Sequence, residues 1–165
     1  MFPEPRIAQA KELLDACRQS GLHIATAESC TGGLIAALLT EIAGSSGVFE
    51  RGFVTYSNAA KTEMLGVPAA MIEAHGAVSE PVARAMAEGA LAHSAADIAI
   101  AVTGVAGPGG GSPEKPVGLV HLAVARRGTP TEHRRCEFGD IGRNGVRAAT
   151  VDVALLMLKA AIAGG

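Results

Sequence analysis

Apolar positions recur along this chain with two spacings, and the switch between them outlines its elements. Ile7, Ala10, Leu13, Leu14 and Cys17 fall three and four residues apart, which predicts a helix that Gly21 ends. His23–Thr26 is a short β-branched run and reads as a strand. Thr31-Gly32-Gly33 then opens the apolar segment 34–41, which fits a buried helix. Residues 52–56 read as a second strand. Asn58 is the expected cap of a short helix containing Lys61, Met64 and Leu65, and Pro68 starts another. Ser79-Glu80-Pro81 has the form of a helix start, with Ser79 as cap and Pro81 in the first turn, running to about Ala92. Residues 97–102 are apolar after Asp97 and predict a fully buried strand. A Gly/Pro-rich loop covers 103–117. Residues 118–125 and 132–138 read as a hairpin around Gly-Thr-Pro, and a last helix covers 146–163.

Strands alternate with helices, and the strands are apolar on both faces, which calls for cover on both sides of the sheet. The expectation is a single-domain three-layer α/β/α sandwich over 1–165, with a mixed, mostly parallel sheet and the hairpin supplying an antiparallel member. No internal repeat and no long linker divides the chain.

Composition narrows the function classes. Hydrophobic residues make up 48% of 165 and charged residues 18%, which excludes disorder as a description of the whole chain. Lys and Arg number 14 against 16 Asp and Glu, a net charge of −2, so broad binding to nucleic acid or anionic membrane is not expected. One Tyr, four Phe and no Trp leave few platforms for stacking bases. Cys17, Cys30 and Cys136 show no CxxC spacing, which points away from a disulfide framework or zinc ribbon and toward a reducing cytoplasm. The amino terminus lacks an apolar signal core, and no apolar run reaches 18 residues. A cytoplasmic protein is expected.

Four segments carry candidate chemistry. Glu28-Ser29-Cys30-Thr31-Gly32-Gly33 lies between a strand and a helix, where first-turn N–H groups can face an anion or an acyl oxyanion and Ser29 could serve as nucleophile. Plain capping by Ser29 and Thr31 accounts for the same pattern, and Cys30 is a rival nucleophile. Tyr56-Ser57-Asn58-Ala59-Ala60-Lys61 follows the next strand. A desolvated Lys61 could lose its proton and act as base, with Tyr56 orienting it or relaying the proton; an ordinary surface lysine is the alternative. Residues 103–111 (TGVAGPGGG) suit neither a P-loop nor a dinucleotide fingerprint, since Gly110 and Gly111 stand where a P-loop needs Lys and Ser/Thr. They could still line a ligand or simply be flexible. Arg143 and Arg147, one helical turn apart, could present a fork to a phosphate or carboxylate or face solvent. Five histidines without HxH or HxxxH spacing predict no metal site, and the serine and lysine chemistry needs no cofactor.

Read together, TAESCTGG (26–33), AGSSGVFERGFVTYSNAAK (43–61), HGAVSEPVA (75–83), TGVAGPGGG (103–111) and EKPVGLV (114–120) resemble the CinA carboxy-terminal domain family, in particular its stand-alone nicotinamide mononucleotide deamidases (PncC type). The resemblance spans about residues 7–160. It implies an α/β/α fold and hydrolysis of nicotinamide mononucleotide to nicotinate mononucleotide and ammonia, in pyridine nucleotide salvage. It implies a Ser/Lys dyad with Ser29 as nucleophile and Lys61 as base. Tyr56, Thr103 and Ser46 become supporting polar groups. Thr31, Gly32, Gly33, Gly104, Ala106 and Gly107 become oxyanion or substrate contacts, and Arg143 and Arg147 phosphate contacts. Arg51 stands where many members of the family carry glycine.

Two other classes remain at this point. A non-catalytic nucleotide-binding module linked to competence or DNA damage would use the same glycine turns without turnover. A penicillin-binding or β-lactamase-like enzyme would need SxxK, which neither Ser29 nor Ser57 provides. Self-association into a homo-oligomer fits an alanine-rich apolar domain.

Overall fold

The computed structural model describes residues 1–164. In chain order it contains α1 (Glu4–Ser20), β1 (Ile24–Glu28), α2 (Leu34–Thr40), a 3₁₀ turn at Ser45–Gly47, β2 (Phe49–Val54), α3 (Asn58–Leu65) and α4 (Ala69–His75). There follow α5 (Glu80–Ala92), β3 (Ile98–Gly104), β4 (Leu119–Arg126), β5 (Glu132–Glu137) and α6 (Arg143–Ala163). The five strands form one sheet in the order β2-β1-β3-β4-β5. β1 runs parallel to β2 and β3, and β4 runs antiparallel to β3 and β5, so only β4 points against the other four. The α/β sandwich with a mixed sheet is as expected.

The two faces of the sheet differ in side-chain size rather than polarity. Ile24, Ile98, Ile100, Val102, Val120, Leu122 and Val124 face one way and pack with α1, α2 and α6. Their neighbours Ala25, Ala27, Ala99, Ala101, Ala123 and Ala125 face the other way and form a floor for α5. Because successive strand residues point to opposite faces, an Ile-Ala-Ile-Ala-Val run puts all the bulk on one side. The alanine face lets α5 lie close, and Gly89 continues this: a Cβ there would stand 2.0 Å from the Leu65 carbonyl oxygen at the end of α3.

Two adjacent arginines close the far end of the sandwich. Arg126 donates to the Ala161 and Ile162 carbonyls at the end of α6, on one face. Arg127 donates to the Leu91, Ser94 and Ala96 carbonyls at the end of α5, on the other. Cations suit the negative ends of both helices. Arg51, exposed on edge strand β2, ion-pairs with Glu50 and donates to the His93 carbonyl, so it also finishes α5.

Several boundaries move, and three movements matter for the site. β1 ends at Glu28 rather than Thr26, which puts that carboxylate inside the sheet. β3 continues through Thr103 and Gly104, taking both out of the expected loop, and α6 begins at Arg143 instead of Val146. The cap of α3 is Ser57, whose Oγ accepts from the Ala60 amide; Asn58 is the first helical residue. Ser79 occupies the cap position of α5, but its hydroxyl donates to the Gly76 carbonyl instead.

Candidate active site

β2, β1 and β3 end at the same edge of the sheet. The chain leaves β1 through α2 on one face and leaves β2 through α3, α4 and α5 on the other, so its direction of winding reverses at β1. A crevice opens at the carboxyl ends of strands where such a reversal occurs. Here a cleft of about 300 Å³ lies at that edge. It is lined by Ser29 and Cys30 after β1, Tyr56, Asn58 and Lys61 after β2, Ala77 and Val78 before α5, Thr103 and Gly104 at the end of β3, residues 105–107 with Gly109 and Gly110 after it, and Arg143.

Lys61 is the group that gives the cleft chemical character. Ser57 starts α3 so that Lys61 falls one turn in, facing the sheet. Lys61 is 1% exposed, yet among the described residues no carboxylate pairs with it. Nζ donates to the Thr55 carbonyl at 2.8 Å and stands 3.1 Å from Ser29 Oγ. Burial holds its pKa below the ordinary lysine value. A neutral amine at this distance can take the hydroxyl proton as the serine oxygen attacks an electrophile.

Cys30 does not compete for that role. It is buried, and burial, with Glu28 adding to it, pushes the thiol up to about 11. A thiol must ionise to attack well, so at neutral pH Cys30 is inert.

The turn carrying Ser29 is held from below in a way that differs from the expectation. Glu28 is completely buried and its carboxylate accepts from the Ile35 amide (2.9 Å), the Ala36 amide (3.0 Å) and Thr31 Oγ1 (2.7 Å). The first-turn donors of α2 are therefore occupied by Glu28 and are not free for a ligand. Gly32 N–H closes the turn on the Ser29 carbonyl at 3.0 Å. Among the described residues, the amides of Cys30 and Thr31 between them meet no acceptor.

The remaining candidates divide. Thr103, Gly104, Ala106 and Gly107 line the cleft. Thr103 donates to the Ala77 carbonyl at 2.9 Å, tying two walls together. Gly104 permits the close pass of β3 over β4, since a Cβ would come within 2.6 Å of Val120 Cγ2. Arg143 lines the cleft, with Nη1 on the Gly107 carbonyl (2.8 Å) and Nη2 on the Tyr56 hydroxyl (3.0 Å). Tyr56 is thus partnered by Arg143, not by Lys61 or Ser29, and the expected proton relay through its phenol has no geometry behind it.

Four residues expected at the cleft do not line it. Thr31 is buried beneath the turn, bonded to Glu28, and Gly32 and Gly33 lie on its outer side. Arg147 donates to the Thr31 carbonyl at 3.0 Å, so the two arginines do not make a fork. Ser46 is a fifth, and the most distant. It is exposed just before β2, whose first residue pairs with the first of β1, at the opposite end of the sheet from Ser29. Five strand residues at about 3.3 Å each separate those ends by about 16 Å. Sequence reasoning missed Asn58 as a lining residue, along with Ala77 and Val78; the segment HGAVSEPVA that contains the last two was noticed only as a marker.

Among the described residues no group of three or more His, Cys, Asp or Glu side chains converges, and no helix is long and apolar enough to cross a membrane. His121 and His133 stack with ring centres 5.1 Å apart, outside the cleft.

A strand-reversal cleft with a buried lysine against a serine is the class of site this sandwich displays. The chain belongs to the CinA C-terminal domain family, which matches residues 7–162. A CinA-like protein of Citrifermentans bemidjiense is 52% identical over 96% of this chain and 38% of its own length. One from Mycolicibacterium vanbaalenii is 55% identical over 88% of the chain and 34% of its own length. The chain thus spans about a third of these relatives. Among solved structures, a competence/damage inducible protein from Agrobacterium tumefaciens superposes with a TM-score of 0.95 at 55% identity, covering 97% of both chains. A CinA superfamily protein from Escherichia coli gives 0.88 at 34% identity, covering 96% of this chain and 92% of its own.

Proposed function

We propose that this chain is a serine amidohydrolase that converts nicotinamide mononucleotide and water to nicotinate mononucleotide and ammonia. The observation that carries this reading is the buried Lys61 amine 3.1 Å from Ser29 Oγ, with a pKa lowered by burial. Lys61 takes the Ser29 proton as Oγ bonds to the carboxamide carbon. The developing oxyanion meets backbone donors, and Lys61 returns the proton to the departing nitrogen as the C–N bond breaks. Water, deprotonated by the same amine, then cleaves the ester and frees the carboxylate and Ser29.

Charge supports the substrate class. The lining residues include no Asp or Glu, and Arg143 is their one permanently charged group. With the glycine turn 107–110 beside it, that guanidinium suits the phosphate of a mononucleotide. The cleft of about 300 Å³ is at the small end of the range for small-molecule sites.

Ammonia release from nicotinamide mononucleotide by wild type and Ser29→Ala, side by side, tests the reading. Release by wild type alone is expected. Equal release by both discards the dyad, and binding without release by wild type means that the site holds a nucleotide without turning it over.

A further inference from the structure

Glu28 and Arg147 have no part in the proton transfers just described, yet both are fastened to the turn that carries the nucleophile. Glu28 is 0% exposed and immediately precedes Ser29. All three donors on its carboxylate come from Thr31 and the start of α2. Arg147 reaches from α6 to the Thr31 carbonyl and keeps a buried Nε without a partner. Thr31 is therefore held by its hydroxyl from one element and by its carbonyl from another, and its amide is left over. A turn closed by a bond from the fourth residue to the first gives its two middle amides no acceptor of its own. Here those amides belong to Thr31, which is buried outside the cleft, and to Cys30, which lines it directly after Ser29; the amide following a nucleophilic serine is well placed for an acyl oxyanion.

We propose that Glu28 and Arg147 are positioning residues that grip the Ser29–Gly32 turn through Thr31 and so aim the Cys30 amide at the oxyanion. This rests on the Ser29/Lys61 hydrolase reading. Neither side chain touches substrate or moves a proton. Glu28 takes up the α2 amides, so the helix end itself does not serve the oxyanion; Arg147 fixes the Thr31–Gly32 peptide unit, whose N–H closes the turn on Ser29. Such a grip acts on the tetrahedral species far more than on the bound amide, because an oxyanion is more sensitive to donor direction than a neutral carbonyl.

The test measures kcat and KM for ammonia release from nicotinamide mononucleotide in wild type, Glu28→Gln, Arg147→Met and Arg147→Lys. Inhibition by pyridine-3-boronic acid is measured beside them. On binding, boron accepts the Ser29 Oγ electron pair, the hydroxyl proton passes to Lys61, and the adduct carries its negative charge where the oxyanion forms. Glu28→Gln and Arg147→Met are expected to lower kcat about 10- to 100-fold with KM within threefold. Boronic acid affinity is expected to fall in step, and the rising limb of the pH profile to stay in place because Lys61 is untouched. Arg147→Lys, which keeps one donor for the Thr31 carbonyl, recovers part of the loss. If Glu28→Gln does not fold, Thr31→Val removes the hydroxyl contact alone and is held to the same criterion. A kcat within twofold of wild type in the folded variants overturns the assignment, as does a loss that appears in KM. Wild type that neither releases ammonia nor binds the boronic acid overturns the hydrolase reading itself, a result distinct from active variants.

Discussion

Lowering the pH from 7.5 to 5 weakens this fold through one pair of rings. His121 on β4 is 8% exposed, and its Nδ1 stands 2.9 Å from His133 Nε2 on β5. One proton between those nitrogens makes a hydrogen bond, whereas two would put N–H against N–H. Burial, then His133, Arg135 and Lys115, push His121 down to about 4, against the pull of Glu80. His133 is also lowered, first by burial, with Arg84 adding and Glu80 opposing. The unfolded chain, with imidazoles near 6.5, therefore binds more protons than the folded one once the pH drops below that value. Stability present above 6.5 is lost progressively down to about 4. At 1.36 kcal/mol per pH unit the full loss is about 3 kcal/mol, and about 2 kcal/mol of it has gone by pH 5. The rings share protons, so this slope belongs to the pair. Asp15, Glu50 and Glu80, whose carboxyls are held below their usual range, lose their contributions mainly below pH 5 and leave the upper window clear. Urea unfolding at pH 7.5, 6 and 5 in wild type and His121→Gln provides the assay, since glutamine does not titrate. The difference in unfolding free energy between the two proteins changes by about 2 kcal/mol over that window. A difference constant to within about 0.5 kcal/mol refutes the reasoning.

Four further outcomes follow from the packing and the cleft. Gly89→Ala forces a methyl toward the Leu65 carbonyl oxygen, 2.0 Å from the ideal Cβ, and costs about 1–3 kcal/mol or more despite the better helix propensity, read from the shift of the urea midpoint. Lys61→Met abolishes ammonia release by about 10²–10⁴-fold while the Tm stays level or rises, because a buried amine gives way to an apolar chain of similar volume; a fall of several degrees contradicts that account. In wild type the rate climbs with pH as Lys61 loses its proton, with an apparent pKa below about 10.4, and a flat profile from pH 6 to 10 removes Lys61 as the base. Arg143→Ala raises KM for nicotinamide mononucleotide about 10-fold or more and raises it much less for the nucleoside lacking phosphate; equal changes for both mean that the guanidinium only braces Gly107 and Tyr56.

What the chain reveals without coordinates depends on how far apart its partners lie. Helices and strands rest on local spacing, and all of them stand where the apolar pattern puts them to within a few residues. The two-faced sheet was also written locally, as IAIAV in 98–102, but a fully apolar run reads as buried on both sides and its alternation in size passes unnoticed. Contacts between elements leave no such trace. Ser29 and Lys61 are 32 residues apart, and only the resemblance paired them. Arg126 and Arg127 look like an ordinary basic turn until the ends of α5 and α6 arrive beside them. Ser46 was set with the cleft because it falls in a motif block, while the strand that follows carries the chain from the opposite end of the sheet. The helical spacing of Arg143 and Arg147 held, but one turn of α6 is enough to bring one to the cleft and the other to the Thr31 carbonyl.

The same arrangement lets burial lower the pKa of Lys61 with no ion pair to raise it again. A buried ammonium would need a carboxylate beside it, and the nearest buried carboxylate, Glu28, is saturated by two amides and a hydroxyl from α2 and its turn. By occupying Glu28, the start of α2 leaves Lys61 with only a carbonyl and the Ser29 hydroxyl as partners, neither of which holds an ammonium as an ion pair would. The glutamate before the serine and the lysine after the next strand thus keep separate partners, the first in α2 and its turn, the second in the Thr55 carbonyl and the Ser29 hydroxyl, and burial lowers the amine's pKa without an ion pair to raise it.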